Sequence, residues 1–142
     1  MSVMLLQGDT FTDDRGKLRF VNTFDFSNVK RFYQVENHRQ GFIRAWHGHQ
    51  NEGKYVYVAK GSALVGAVPL DEGFEHAEPK RFVLTAEKPQ ILWIPPKHAN
   101  GFMNLKEDTI IMFFSTSTLE ESSGDDIRYP YDKWNIWEED YR

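Results

Sequence analysis

Short β-type segments separated by turn signals run through almost the whole chain, and no segment has the spacing of an amphipathic helix. The segments are rich in β-branched and aromatic residues, and turn residues recur at about the 8–12-residue interval typical of β-sandwiches and barrels. The segments span residues 18–21, 29–35, 55–58, 63–68, 81–85, 90–94 and 109–114. This pattern predicts an all-β fold, and a length of 142 residues suits a single domain.

Composition narrows the class of protein. The net charge is −4 at pH 7, whereas general nucleic-acid binders are normally basic, so we expect no nucleic acid as a partner. The absence of cysteine excludes disulfides, thiolate nucleophiles and Cys-ligated zinc. No apolar run approaches the roughly eighteen residues of a membrane span, and residues 1–6 are too short and uncharged for a signal peptide. We therefore expect a cytoplasmic protein with no membrane partner.

Several chemically active side chains crowd into residues 41–61. His47 and His49 lie two residues apart, so on a strand both imidazoles point to the same face. Arg44 comes just before them, and Lys54 follows a turn-like run at 50–53. Such a group predicts a functional site. The alternatives are that the histidines are polar groups at a strand end and that Lys54 is an edge charge that discourages aggregation.

The spacing of the two histidines also resembles the first motif of metal-binding cupins, in which a glutamate and a later histidine complete the ligands. Lys54 stands at the glutamate position, and Asn100 stands at the position of the later histidine. An ammonium group repels a divalent cation, and an asparagine amide is a weak, neutral ligand. We therefore expect no metal and no cofactor, with His98, Glu52 or water as the alternatives that could complete a metal site.

Four motifs, in the right order, resemble those of the dTDP-4-dehydrorhamnose 3,5-epimerase family, a metal-free branch of the cupins. Residues 44–47 followed by Lys54 are similar to the family's Arg-Gly-Leu-His motif and its lysine on the next strand. Residues 95–102 are similar to the later Pro-x-Gly-Phe-Ala-His-Gly-Phe motif, and residues 13–16 match the early Asp-x-Arg-Gly. The tail around Asp132 is similar to the family's Asp-rich, Trp-containing end.

This resemblance implies a fold and an activity. The fold would be a single-domain cupin over residues 1–142, an RmlC-like jelly-roll β-barrel or sandwich. The activity would be a metal-independent epimerisation of a nucleotide-linked 4-keto-6-deoxy sugar, or a related keto sugar, in nucleotide-sugar and cell-surface polysaccharide biosynthesis. The partner would be a nucleotide-diphosphate sugar substrate, and the assembly would be a homodimer.

The resemblance also implies catalytic roles for four residues. His47 would remove the proton next to the ketone, since an imidazole titrates close to neutral pH. Lys54 would stabilise the enolate oxygen. Asp132 would orient His47 and raise its basicity, although a surface or capping role is the alternative for Asp132. His49 would be a second proton-transfer group in the related ketoisomerases.

Four further residues would bind the substrate. Arg15 and Arg44 would clamp phosphate or sugar oxygens, for which a guanidinium fork suits better than an ammonium group. Arg15 lies in an Asp-Arg-Gly turn, where a structural role is the alternative. Tyr33 would stack on the base or sugar. Asn100 occupies the place of a histidine in the family's later motif.

Two departures from the epimerase motifs leave other functions open, and the first is Asn100 in place of the later motif's histidine. The family's tyrosine acid is missing from residues 113–118, so Tyr131, Tyr57 or water would have to return the proton. Residues 44–49 and 30–33 also look like motifs of the nucleotide-sugar 3,4-ketoisomerases, in which both histidines act. A third alternative is a non-catalytic cupin domain that only binds a sugar.

Three further segments carry predictions about packing. The acidic segments 71–78 and 120–126 are predicted to be solvated loops. The tail from residue 128 to residue 142 is aromatic, so it is predicted to pack on the body of the protein.

Overall fold

The computed structural model describes residues 2–71 and 77–142. Most of the acidic segment predicted as a loop at 71–78 therefore lies outside the described residues. The remainder forms β-strands, one short 3₁₀-helix at Phe26–Asn28 and one short α-helix, α1, at Leu119–Ser123. The strands are β1 (Met4–Gln7), β2 (Asp9–Asp13), β3 (Gly16–Phe20), β4 (Arg31–Val35), β5 (Ile43–His49), β6 (Lys54–Lys60), β7 (Ser62–Pro69), β8 (Lys80–Thr85), β9 (Gln90–Ile94), β10 (His98–Asn104), β11 (Ile110–Ser115) and β12 (Ile127–Arg128).

Two five-stranded antiparallel sheets make up the body of the fold. The first sheet has the order β1-β9-β6-β11-β4, and the second has the order β12-β5-β10-β7-β8. The strands β2 and β3 form a separate two-stranded hairpin. The prediction of an all-β cupin jelly roll is confirmed, and apart from the pair β7 and β8 the neighbouring strands in the two sheets are not consecutive in the chain.

The main core lies between the two sheets. Buried apolar side chains from β6, β9 and β11 of the first sheet pack with those from β7, β8 and β10 of the second. Along β6, Val56 and Val58 are buried while Tyr55 and Tyr57 are only partly buried. This alternation has the period of two that places one face of a strand in the core. Complete burial of each such side chain contributes about 1.5–3 kcal/mol to folding.

A second cluster covers the outer face of the second sheet. Trp46, Trp134 and Trp137 are all buried there, and their rings pack against one another. The indole N–H groups of Trp46 and Trp137 both donate to the backbone carbonyl of Tyr131, at 3.1 and 3.0 Å. The prediction that the tail packs on the body is therefore confirmed.

All seven strand segments predicted from the sequence are present, with small shifts at their ends. The part of the chain that the structure describes contains no helix with the length and hydropathy needed to cross a membrane.

Candidate active site

A bulge in β5 turns a guanidinium and an imidazole to the same side of the second sheet. In the ladder between β5 and β10, His47 lies opposite Asn100, and Arg44 lies opposite Phe102, with the register shifting by one residue between them. Asn100 and Phe102 are two residues apart and share the inner face of their strand. Arg44 and His47 therefore share that face too, although three residues separate them. Trp46, next to His47, turns outward into the second cluster.

The inward-facing side chains line a cavity with two adjoining lobes. The outer lobe has a volume of about 260 Å³, and the inner lobe has a volume of about 170 Å³. Tyr33, His47 and Lys54 line both lobes. The outer lobe is closed by residues of α1 and by Asp126 and Arg128, whereas the inner lobe is closed by Arg44, Asn100 and apolar side chains.

The structure brings six of the eight predicted site residues to this cavity. His49 lines the outer lobe, Arg44 and Asn100 line the inner lobe, and Tyr33, His47 and Lys54 line both. The side-chain amide of Asn100 donates to the backbone carbonyl of His47 at 3.3 Å. The catalytic and binding roles of these six residues stay predictions.

The other two predicted residues, Arg15 and Asp132, lie away from the cavity. Arg15 is in the turn between β2 and β3, its side chain is 83% exposed, and it pairs with Asp13 of the same turn. Asp132 is exposed in the tail and lines neither lobe. The structure therefore does not form the predicted pair of Asp132 and His47, because the tail packs on the opposite face of the second sheet.

His47 is held as a neutral imidazole. Burial lowers its pKa to about 4, and the charges of Lys54 and Arg128 act in the same direction. The carboxylate that opposes this effect is that of Asp126, which pairs with Arg128 at 3.0 Å. A neutral imidazole can accept a proton at neutral pH, as a general base must.

His49 is fixed in one tautomer. Its Nδ1–H donates to the backbone carbonyl of Asp125 at 2.7 Å, and a carbonyl oxygen can only accept. The lone pair of the neutral ring therefore lies on Nε2. Burial lowers the pKa of His49, and the charge of Lys54 lowers it further, whereas Glu52 acts in the opposite direction.

Lys54 is buried beside a carboxylate. Its Nζ lies 3.6 Å from Oε2 of Glu52, and 6.0 Å from the centre of the Phe113 ring. Burial lowers the pKa of Lys54, whereas the Glu52 carboxylate raises it.

Sequence reasoning did not predict that Glu52 pairs with Lys54. The Glu52 side chain is fully buried, and Arg31 Nη2 lies 3.3 Å from its Oε1. Glutamate is almost never fully buried unless it is paired, and a glutamate in a predicted turn is ordinarily exposed. The only signal in the sequence is its closeness to Lys54.

Asp125 is also an unpredicted part of the site. Its carboxylate accepts hydrogen bonds from the backbone N–H groups of residues 50, 51 and 52, at 2.9 to 3.1 Å. The prediction of a solvated loop at 120–126 is therefore wrong at Asp125, and α1 occupies most of the remainder. More than seventy residues of sequence separate Asp125 from its partners, so no local pattern marks it.

A family model matches almost the whole chain. The model of dTDP-4-dehydrorhamnose 3,5-epimerase matches residues 1–139. The chain belongs to this epimerase family. The prediction of a sugar-nucleotide epimerase or isomerase is confirmed at the level of the family.

Solved structures of similar fold include both epimerases and an isomerase. The dTDP-4-dehydrorhamnose 3,5-epimerase of Sulfolobus tokodaii is 26% identical, with a TM-score of 0.78 over 95% of this chain and 81% of that chain. ChmJ, a 3'-monoepimerase from Streptomyces bikiniensis solved with dTDP-quinovose, is 16% identical, with a TM-score of 0.81 over 99% and 77%. A 3,4-ketoisomerase from Helicobacter canadensis is 19% identical, with a TM-score of 0.71 over 94% and 95%. Among curated protein sequences, none matches this chain.

In this member of the epimerase family, Tyr33 is the phenol that lines the described cavity. Tyr57 alternates with the buried valines of β6 and so faces outward, and Tyr131 is exposed in the tail. The ring of Tyr33 stacks on Phe113, its partner on the neighbouring strand, with 5.0 Å between ring centres. Burial raises the pKa of Tyr33 above its usual value, and the charge of Glu52 raises it further. The phenol is therefore protonated at neutral pH, and the raised pKa also makes it a weaker acid than an exposed tyrosine.

Metal-ligating side chains do not cluster in the described part of this family member. Residues 2–71 and 77–142 hold no group of three or more histidine, aspartate or glutamate side chains arranged to bind a metal ion.

Proposed function

We propose that the protein epimerises a nucleotide-linked 4-keto-6-deoxy sugar, or a related keto sugar, at a carbon next to the ketone. The observation that carries this proposal is that a neutral imidazole, His47, and a buried ammonium group, Lys54, line the same cavity. Epimerisation next to a ketone needs a base for the proton and a positive group for the enolate oxygen. Membership of the epimerase family supports the same chemistry.

The proton would pass through His47. The neutral imidazole removes the proton next to the ketone and becomes an imidazolium, while the negative charge moves to the ketone oxygen. Lys54 donates a hydrogen bond to that oxygen. A proton returned to the same carbon from the opposite face completes the inversion.

Tyr33 is our candidate for the group that returns the proton. Residues 113–118, where the family's tyrosine acid was expected, lack a phenol, but Tyr33 lies on β4, the neighbour of β11, and lines both lobes. Its raised pKa keeps the donor form at neutral pH. Tyr33 would therefore return the proton, a role for which the sequence alone suggested Tyr57, Tyr131 or water.

The nucleotide diphosphate would bind through guanidinium groups at the two ends of the cavity. Arg44 lines the inner lobe, and Arg31 and Arg128 line the outer lobe. Guanidinium groups bind phosphate oxygens in a two-pronged geometry. The dTDP-quinovose bound to the similar ChmJ structure supports a ligand of this class.

A 3,4-ketoisomerase is the second candidate, and the position of His49 favours it. Both imidazoles lie on the inner face of β5, so they could move a proton between adjacent carbons on one face of the sugar. A non-catalytic sugar-binding domain would have the same cavity but would exchange no proton.

Proton exchange in deuterated water separates these three functions. We would incubate the protein with a panel of nucleotide-linked 4-keto-6-deoxy sugars and follow deuterium by NMR. His47→Ala should lose at least about 10²-fold of the exchange rate, the range that a general base contributes. His38→Ala is the matched control, since His38 is exposed and lines neither lobe.

Each outcome assigns one function. Deuterium next to an unmoved ketone, with inversion at the labelled carbon, identifies an epimerase. Deuterium on the former ketone carbon, with the ketone now on the neighbouring carbon, identifies a ketoisomerase. Tight binding of a sugar with no deuterium uptake would contradict both enzymes and leave the binding domain.

We also propose that the protein is a homodimer and that Arg15 acts on the substrate held by the other copy. The outer face of the first sheet carries an aromatic patch formed by Phe24, Phe26, Phe32 and Phe114, whose rings contact one another. Phe26 is 62% exposed and Phe32 is 68% exposed. Exposed aromatic patches commonly mark protein interfaces.

A further inference from the structure

Glu52 places one negative charge among three groups that can carry a positive charge. Arg31 lies 3.3 Å from Oε1, whereas Lys54 Nζ and His49 Nε2 lie 3.6 and 3.8 Å from Oε2. Arg31 begins β4, His49 ends β5 and Lys54 begins β6. The Glu52 carboxylate therefore contacts residues of three strands. Neither Oε2 of Glu52 nor Nε2 of His49 has a hydrogen-bond partner among the described residues.

Charge counting limits how many of these groups can be cationic together. The Arg31 guanidinium keeps its proton under all ordinary conditions. Arg31 contacts Oε1, so Oε2 is left for the other two groups. If Lys54 and His49 were both protonated, two cations would share that one oxygen and three positive charges would surround one buried carboxylate, which is costly. The carboxylate therefore favours Arg31 and one more proton, and among the described residues the groups that face Oε2 and can carry that proton are Lys54 and His49.

The orientation of His49 makes this competition direct. Because Nδ1–H is held by the carbonyl of Asp125, a second proton on this ring must go to Nε2, which faces the same oxygen as Lys54. Other charged groups lie near His49. The Asp125 carboxylate is 4.0 Å from Nδ1 and accepts hydrogen bonds from backbone amides. Asp126 and Arg128 line the outer lobe and pair with each other.

We propose that Glu52 is a positioning residue that holds one proton on the pair formed by Lys54 and His49, and so keeps Lys54 cationic while His49 stays neutral. In the resting protein the proton is on Lys54. When Lys54 is neutral, the same carboxylate holds the proton on Nε2 of His49. The meaning for catalysis rests on the proposed function, since a charged Lys54 beside neutral imidazoles is the state that enolisation needs.

The electrostatics of the two groups agree with this division. Burial lowers the pKa of both Lys54 and His49, and the Glu52 carboxylate opposes the effect at both. The charge of Lys54 also lowers the pKa of His49. A proton on one group therefore disfavours a proton on the other.

Side-chain ¹⁵N NMR of the sugar-free protein tests the proposal directly. Lysine and histidine nitrogens would be followed through a pH titration in wild type, Glu52→Gln and Glu52→Asp. In Glu52→Gln, the titration midpoints of Lys54 and His49 should both fall by about one to three pH units, the usual effect of losing an adjacent opposite charge. Glu52→Asp keeps the charge and should restore part of the shift.

A second variant decides the matter if Glu52→Gln does not fold. In Lys54→Met, the competing ammonium is gone while Glu52 remains, so the midpoint of His49 should rise. A purely structural Glu52 predicts wild-type midpoints in Glu52→Gln. In Lys54→Met it predicts a His49 midpoint that stays below about 6.5, the usual value for histidine, because burial still lowers it and no carboxylate holds the proton. Either result would overturn the proposal.

The control is another ion-paired glutamate far from the cavity. Glu87 pairs with Arg19 at 3.2 Å, and its side chain is 71% exposed. Glu87→Gln makes the same chemical change and should leave both midpoints unchanged. Because no sugar is present, failure of the exchange experiment would leave this measurement intact, and failure here would leave the exchange experiment intact.

Discussion

At the scale of single residues, His47 links the chemistry of the cavity to the stability of the fold. Its pKa falls from 6.5 to about 4 on folding, so between these pH values the unfolded chain takes up a proton that the folded chain does not. The free energy of unfolding should therefore fall as the pH drops from about 6.5 to about 4. Urea unfolding at pH 6.5 and pH 4.5 measures this loss.

His47→Asn should reduce that loss, because the variant has no imidazole to protonate at this position. The loss should not vanish, since the pKa of His49 is also lowered by burial. His38→Asn provides the comparison at an exposed histidine. Equal losses of stability in wild type and His47→Asn would show that His47 binds its proton equally well in the folded and unfolded chain.

Some residues of the cavity could be predicted from the sequence, and others could not. His47, His49 and Lys54 are close together in the chain, so a local pattern predicts that they share a site. Glu52 is equally close, but its burial depends on Arg31, which comes from a different strand. Asp126 acts on His47 only because β12 pairs with β5. Contacts of this kind depend on the fold and leave no mark in local spacing.

At the scale of elements, the bulge in β5 shows where simple alternation fails. Alternation correctly places His47 and His49 on one face, but it places Arg44 on the other face. The extra residue in β5 reverses that assignment for Arg44, since a shift of one residue exchanges the two faces of a strand. The same bulge lets Trp46 point outward, where the tail covers it.

The segment between α1 and β12 contacts the turn at 50–52 through the Asp125 carboxylate. Asp125→Ala would leave three backbone N–H groups of the turn at 50–52 without their partner. The variant should lose about 1.5–3 kcal/mol of unfolding free energy, the range for hydrogen bonds to a charged group. Denaturant unfolding at neutral pH measures the change.

The neighbouring carboxylate supplies the control for this element. Asp126 is paired with Arg128 at 3.0 Å, and the arginine side chain is 71% exposed. An exposed ion pair contributes about 0–1 kcal/mol, so Asp126→Ala should cost less than Asp125→Ala. Equal costs for the two variants would show that the turn does not depend on the Asp125 carboxylate.

At the scale of the whole molecule, the two faces of the sandwich have different roles. The outer face of the second sheet is covered by the chain's own tail, whereas the outer face of the first sheet keeps its aromatic patch partly exposed. The sequence predicted the packing of the tail from its aromatic residues. It could not predict which face the tail would leave open, because that depends on the order of strands in each sheet.

If the protein is the proposed homodimer, two inactive variants should regain activity when they are mixed. Arg15 lies outside the cavity of its own chain, so it would reach the substrate only in a second copy. Arg15→Ala and His47→Ala should each lose activity, but a refolded equal mixture should regain about one quarter of the wild-type rate. Half of the dimers then hold both variants, and each of these has one complete site out of two. Turnover of the sugar before and after mixing gives the measurement, with size-exclusion chromatography to establish the dimer. A mixture no more active than the separate variants would place the action of Arg15 within its own chain or outside catalysis.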